Sequence, residues 1–163
     1  MMMAADGWYI YNGTGVIPPG VTRVRIDESV TVIPARAFDG NIDIKEVDCH
    51  DGVKTVGGWA FANCPSLRRV IMPRVEVVED LAFWYCEALA DVECGKLEII
   101  GYGAFERCRS LRSINLPSAR IVGRCAFVSC TALTNIKFGK ELESIGYRAF
   151  YRCTSLERIT IPL

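Results

Sequence analysis

Histidine is almost absent from this chain: His50 stands alone among 163 residues. No two of the eight cysteines form a Cys-x-x-Cys pair, so the clustered ligands that a structural metal site requires are lacking. Net charge is absent too, with 19 basic residues against 19 acidic ones. That balance argues against nucleic-acid or membrane-surface binding driven by bulk electrostatics. No apolar run approaches the ~18 residues needed to cross a bilayer, which argues against membrane insertion. The opening Met1-Met2-Met3-Ala4-Ala5-Asp6 has neither the charged nor the apolar region of a secretory leader. The expected location is therefore cytoplasmic, or secreted or cell-surface if a leader has been removed.

What the chain does have is a period. Ala-Phe recurs six times, with phenylalanine at positions 38, 61, 83, 105, 127 and 150. A spacing of 22 or 23 residues over nearly the whole length marks one supersecondary unit laid down repeatedly. Three residues after five of the six phenylalanines stand Cys64, Cys86, Cys108, Cys130 and Cys153, with Asn41 in the first copy. Six residues after come Ile44, Leu67, Leu89, Leu111, Leu133 and Leu156; nine after, only valine or isoleucine. Five residues before each ring the same two types recur. These columns stay apolar while those between them vary freely.

The stretch Leu111-Arg112-Ser113-Ile114-Asn115-Leu116 alternates and stops at Pro117, the pattern of a short strand with one buried face. The segment from Ala-Phe to Cys carries no β-branched run and reads as about one helical turn. A second aliphatic pair at spacing three, such as Leu142 and Ile145, gives a short return strand. Coils of this kind stack about 4.8 Å apart by strand pairing, placing each column above itself and the phenylalanines in an aromatic spine. Since no coil buries its apolar columns alone, the chain is expected to form one domain, an α/β repeat solenoid.

The unit aliphatic-x-x-aliphatic-x-aliphatic-Pro, then aliphatic-x-x-Ile-Gly-x-x-Ala-Phe-x-x-Cys, resembles that of the BspA-type leucine-rich repeats of bacterial surface proteins. Leu133 through Cys153 match it almost letter by letter, and the likeness extends over residues 17–163. Glu79 and Pro34 depart from the expected glycine, and Cys125 precedes Ala126. The resemblance implies a right-handed coil stack with a parallel concave β-sheet, short second strands and one helical turn per repeat. It also implies a non-enzymatic scaffold that binds a protein through the concave sheet, or alternatively a cell-surface adhesin or glycan-binding module.

Chemistry-bearing residues fit structural roles. Five cysteines share one column and cannot pair off among themselves; as small fillers they can donate weakly to turn carbonyls, as Asn41 can more strongly. Free thiols favour a reducing compartment. His50 lies at a turn beside Cys49, which occupies a core column, so a Cys-His catalytic pair is not expected. Gly13-Thr14-Gly15 and Gly101-Tyr102-Gly103 lack the rest of a phosphate loop, and neither catalytic residue nor cofactor is expected. Asn12-Gly13-Thr14 is a glycosylation sequon, relevant only to a secreted chain.

Function is therefore sought on surfaces. The outward sheet positions Arg23, Arg25, Arg68, Arg69, Asp91, Glu93, Arg112, Asn115 and Lys137 are the expected contact face, although laddered opposite charges can also simply support one another. A second candidate is the aromatic set Trp59, Trp84, Tyr85, Tyr102, Tyr147 and Tyr151, either partner anchors or covers over the turns. Residues 1–16, with Trp8, Tyr9, Ile10 and Tyr11, read as a hairpin-like cap. Leu156, Ile159 and Ile161 have no following coil and form an expected edge for a homodimer, unless the array continues in a longer protein.

Overall fold

The computed structural model describes residues 2–162, in which fourteen short strands wind into a parallel β-solenoid of stacked coils. Six complete coils are numbered here by their phenylalanines, from Phe38 to Phe150. The longer strands are β1 (Tyr9–Tyr11), β2 (Arg23–Ile26), β4 (Glu46–Asp48), β6 (Arg69–Ile71), β8 (Asp91–Glu93), β10 (Ser113–Leu116), β12 (Asn135–Phe138) and β14 (Arg158–Thr160). The short return strands are β3 (Val32–Ile33), β5 (Thr55–Val56), β7 (Val77–Val78), β9 (Ile99–Ile100), β11 (Ile121–Val122) and β13 (Ser144–Ile145). Every strand pair is parallel and in register, so like meets like: Val24, Val47, Val70 and Val92 form one row, and Ile114, Ile136 and Ile159 another.

The return strands make one unbroken sheet of six. The longer strands do not. Their ladder runs β1-β2-β4-β6-β8 and resumes as β10-β12-β14, leaving a seam between coils 3 and 4 where the core-column Val92 is only half-buried. The single continuous sheet that the repeat pattern implies is thus two sheets on this side.

The phenylalanine spine is continuous. Successive ring centroids lie 4.8, 5.1, 5.2, 5.3 and 5.6 Å apart, with planes 4° to 16° from parallel. Near-parallel planes at these spacings are offset stacks, the arrangement favoured by the ring quadrupole. Tyr11 extends the row at 4.7 Å from Phe38, tilted by 57°. The N-terminal segment does form a small hairpin, with an antiparallel bridge between Met3 and Tyr9, but β1 then joins β2 in parallel and so begins the sheet itself.

The helical turn expected at Ala-Phe is not there; no residue among those described is helical. Hydrogen bonding gives the reason. Around Phe105, the N–H groups of Gly103, Phe105 and Arg107 donate to Arg124, Ala126 and Val128 of the next coil. Those between them, on Ala104, Glu106 and Cys108, reach back three residues to Gly101, Gly103 and Phe105. A helix aims every N–H along its own axis and would leave no donors for the neighbouring coil. The alternation is made by left-handed residues two before and two after the phenylalanine, such as Trp59 (φ 60°) and Asn63 (φ 55°), or Cys125 (φ 59°) and Ser129 (φ 58°). Most are not glycine, so each costs about 1–2 kcal/mol that the inter-coil bonds must offset.

Glycine is required for a different purpose. A Cβ on Gly123 would lie 2.6 Å from the backbone of Gly101, and one on Gly139 would overlap the carbonyl oxygen of Pro117. The coils approach too closely there for any side chain.

Candidate functional site

The strand pattern puts the alternate residues of the longer strands outward, and the seam divides that face into two chemically different halves. On the N-terminal half several charges are paired internally. Arg25 contacts Asp6 at 3.1 Å and Asp48 at 3.7 Å, and Arg69 contacts Glu93 at 3.1 Å. The guanidinium groups of Arg23 and Arg25 lie 4.9 and 5.0 Å from the centre of the Trp8 ring, a contact invisible in the repeat pattern because Trp8 lies outside it. Such exposed pairs are each worth about 0–1 kcal/mol. Arg68 and Asp91 are exposed and make no ion pair among the described residues.

On the C-terminal half, Arg112, Asn115 and Lys137 are exposed and no ion pair among the described residues uses the two cations. Thr134, Asn135, Lys137, Glu157, Arg158 and Thr160 line a cleft of about 650 Å³. The nine predicted sheet residues therefore share one side of the solenoid but not one environment.

The aromatic set also divides. Trp59 and Trp84 meet edge to face at 5.5 Å, and Tyr85 meets Trp84 at 4.4 Å, all three half-buried. Arg36 covers Trp59 at 4.6 Å and Arg107 covers Tyr85 at 4.7 Å. Tyr102, Tyr147 and Tyr151 are exposed, and Arg148 sits 5.0 Å from both Tyr147 and Tyr151.

The cysteine column is a hydrogen-bonded ladder. Each thiol donates to the carbonyl of the phenylalanine one coil earlier, from Cys64 to Phe38 at 3.1 Å through Cys153 to Phe127 at 3.0 Å. All eight cysteines are free. Burial pushes the thiols of Cys49, Cys64 and Cys94 up to about 12 and raises those of Cys86 and Cys108 as well. Cys130 rises through contact with the Cys153 thiol and through burial. A thiol held neutral is a poor nucleophile. Asn41 does not take the donor role expected of it: its Oδ1 accepts from the backbone N–H groups of Asp43 and Ile44, at 2.9 and 3.0 Å.

His50 is spent on backbone. Its Nδ1 accepts from the Gly52 N–H at 3.0 Å, which leaves Nε2 as the protonated nitrogen, donating to the carbonyls of Asp27 and Val30 at 3.0 and 2.9 Å. With both nitrogens engaged and Cys49 buried, the two cannot act as a base and nucleophile in this conformation. Among the described residues, no group of His, Cys, Asp or Glu could hold a metal ion, and no helix is long and apolar enough to cross a membrane.

The last coil leaves apolar columns open. Ile159 is 42 % exposed, whereas Ile136 above it in the same row is 0 % exposed; Ile161 is exposed and Leu156 half-buried.

No curated protein matches the sequence. Among solved structures, a leucine-rich repeat protein from Bacteroides ovatus is 34 % identical, with a TM-score of 0.79 over 86 % of this chain. The match spans 37 % of that protein, so this chain corresponds to little more than a third of it. The leucine-rich repeat protein of T. pallidum has the same fold at 22 % identity, with a TM-score of 0.75 over 94 % of this chain and 86 % of that one. A leucine-rich cell surface protein from Faecalibacterium prausnitzii, also 22 % identical, aligns over 97 % of this chain and 51 % of that one with a TM-score of 0.61. The sequence model of the BspA type leucine rich repeat region matches six copies, over residues 20–121 and 98–163. With the repeats, the stacked coils and the matched residues in agreement, the chain belongs to the BspA-type leucine-rich repeat family.

Proposed function

We propose that this chain is a non-enzymatic scaffold that binds another protein through the outward face of its longer strands, chiefly on coils 4 to 6. One observation carries the reading: polar side chains of β12 and β14 line a cleft of about 650 Å³ and no ion pair among the described residues uses Arg112 or Lys137, while on the N-terminal half Arg25 and Arg69 are held by Asp48 and Glu93. Side chains already held by internal partners have less to offer a ligand than free ones. The face is narrow. Eight strands about 4.8 Å apart and some 10 Å wide expose only a few hundred Å², below the ~800 Å² per partner of a standard interface. The partner is therefore an extended segment, or it also grips the flanking turns. The buried thiols and the doubly bonded His50 support a binding role over a catalytic one, and free thiols support a reducing compartment.

A photo-reactive residue at Asn135 should crosslink one discrete partner from native lysate, and Arg112→Glu/Lys137→Glu should abolish that product. Arg69→Glu should leave it intact. Equal loss in both variants, or a product equally strong from position 55 on the opposite sheet, would overturn the assignment.

The outer edges of β13 and β14 favour a second contact. They have no strand neighbour among the described residues and carry the exposed Ile145, Ile159 and Ile161. The proposed occupant is the same edge of a second copy, giving a homodimer of this 163-residue chain. Light scattering on the eluting peak should give twice the chain mass, falling to one for Ile159→Lys/Ile161→Lys; a wild-type monomer at millimolar concentration contradicts it.

A further inference from the structure

The zero net charge conceals a polarised turn face. Between four residues before and five after each phenylalanine, coils 1 to 3 carry Asp39, Asp43, Glu79, Asp80 and Glu87 against Arg36 alone. Coils 4 to 6 carry Arg107, Arg109, Arg124, Arg148 and Arg152 against Glu106 alone. The acids have internal work: Asp43 accepts from the Gly20 N–H, Glu79 from that of Gly58 and Asp80 from that of Tyr102, while Asp39 pairs with Arg36. Most of the arginines do not. Arg107, Arg124, Arg148 and Arg152 make no ion pair among the described residues, and three of them lie over tyrosine rings.

Within this basic half lies a cleft of about 460 Å³ lined by Arg109, Ser129, Thr131, Arg152 and Thr154. Ser129 is 9 % exposed overall, and its hydroxyl makes no hydrogen bond to another described residue; since no buried side-chain oxygen or nitrogen among them lacks a partner, the hydroxyl is open to the cleft. Its backbone N–H is taken by the Tyr151 carbonyl at 2.9 Å, and its φ is 58°. The hydroxyls of Thr131 and Thr154 are likewise unpartnered among the described residues. Arg152 is braced by Tyr151, 5.4 Å from its guanidinium carbon. Arg109 also touches Glu87 at 3.5 Å, though no carboxylate lines the cleft itself.

We infer that this cleft is a binding site for a tetrahedral oxyanion, a phosphate or sulfate group free or as a monoester on a small molecule. Arg109 and Arg152 belong to coils two apart, about 10 Å along the stack, a span that two extended guanidinium side chains can close on one anion. The hydroxyls of Ser129 and Thr131 on the intervening coil, and of Thr154 close to Arg152 in sequence, supply further donors. This five-donor set suits four oxygens in a tetrahedron better than the two of a planar carboxylate. The site is separate from the sheet face, and either can fail without the other.

The test is titration of the full chain with sodium sulfate, sodium phosphate, and a hexose 6-phosphate and 6-sulfate, followed by backbone amide NMR against sodium chloride at matched ionic strength. The amides of Ser129, Thr131 and Thr154 should shift saturably with the oxyanions and not with chloride or acetate. Arg152→Ala and Arg109→Ala should each weaken binding about tenfold, as the loss of a charge-assisted contact requires, while Arg68→Ala leaves it unchanged. Ser129→Ala, checked for an unchanged melting temperature, should weaken it less. Tighter binding of an ester than of the free ion identifies an ester site, and equal binding a free-anion site. Shifts that fail to saturate, that spread evenly over exposed arginines, or that survive both arginine variants overturn the inference.

Discussion

Raising the pH should unfold this protein through its buried cysteines. Cys49, Cys64 and Cys94 are pushed from 9.0 to about 12 by burial, and Cys86, Cys108 and Cys130 are raised in the same direction. In the unfolded chain these thiols return to their ordinary range near 8.5–9. Below that range both states hold their protons and the six thiols add no pH dependence. Above it the unfolded state releases protons that the folded state keeps, so stability falls with each step in pH until the folded thiols themselves titrate. Each thiol contributes about 1.4 kcal/mol per pH unit, and six together on the order of 8. A domain of ordinary stability, about 5–15 kcal/mol, would be exhausted within roughly two pH units above 9. Urea melts followed by circular dichroism under a reductant, between pH 7 and 10.5, measure this directly. Cys86→Ala should lower the slope above pH 9 by about one-sixth. A stability that stays flat to pH 10.5, or a slope unmoved in the variant, would refute the reasoning.

The spine should be most sensitive at its centre: Phe105→Ala, with a stacked ring on each side, should cost about 3–5 kcal/mol, and Phe150→Ala, half-buried and stacked on one side, less than half as much by the same melts. Gly139→Ala should cost at least ~2 kcal/mol, because its Cβ would collide with the Pro117 carbonyl and only the backbone can yield; an unchanged midpoint would mean the coils are less closely apposed. At pH 8 a thiol reagent should label Cys125 and Cys153, both partly exposed, within minutes and the other six only as the chain unfolds; rapid labelling of more than two contradicts the burial.

The apolar columns were legible in the sequence because stacking repeats one burial requirement six times, so Phe61, Leu67 and Val70 announce themselves by their neighbours 22 or 23 residues away. The turn was misread because Ala104-Phe105-Glu106-Arg107-Cys108 carries local propensity only, whereas its conformation is set by bonds to Ala126 and Val128 of the next coil. Nothing local marks Trp59, Leu81 or Cys125 as left-handed, since none is a residue type that favours that region. The strand alternation puts Arg69, Glu93, Asn115 and Lys137 outward, yet the seam after β8 has no signature in the spacing. The cleft at Ser129 was missed altogether. Arg109 and Arg152 occupy different columns of coils two apart, and only the stack brings them to one place.

The in-register stack itself is tested most directly by proton NOE spectroscopy on a sample labelled only in its phenylalanine rings. Ring centroids 4.8 to 5.6 Å apart predict an unbroken chain of contacts, 38 to 61 to 83 to 105 to 127 to 150. A missing link in the interior, or a contact that skips a coil, would contradict it.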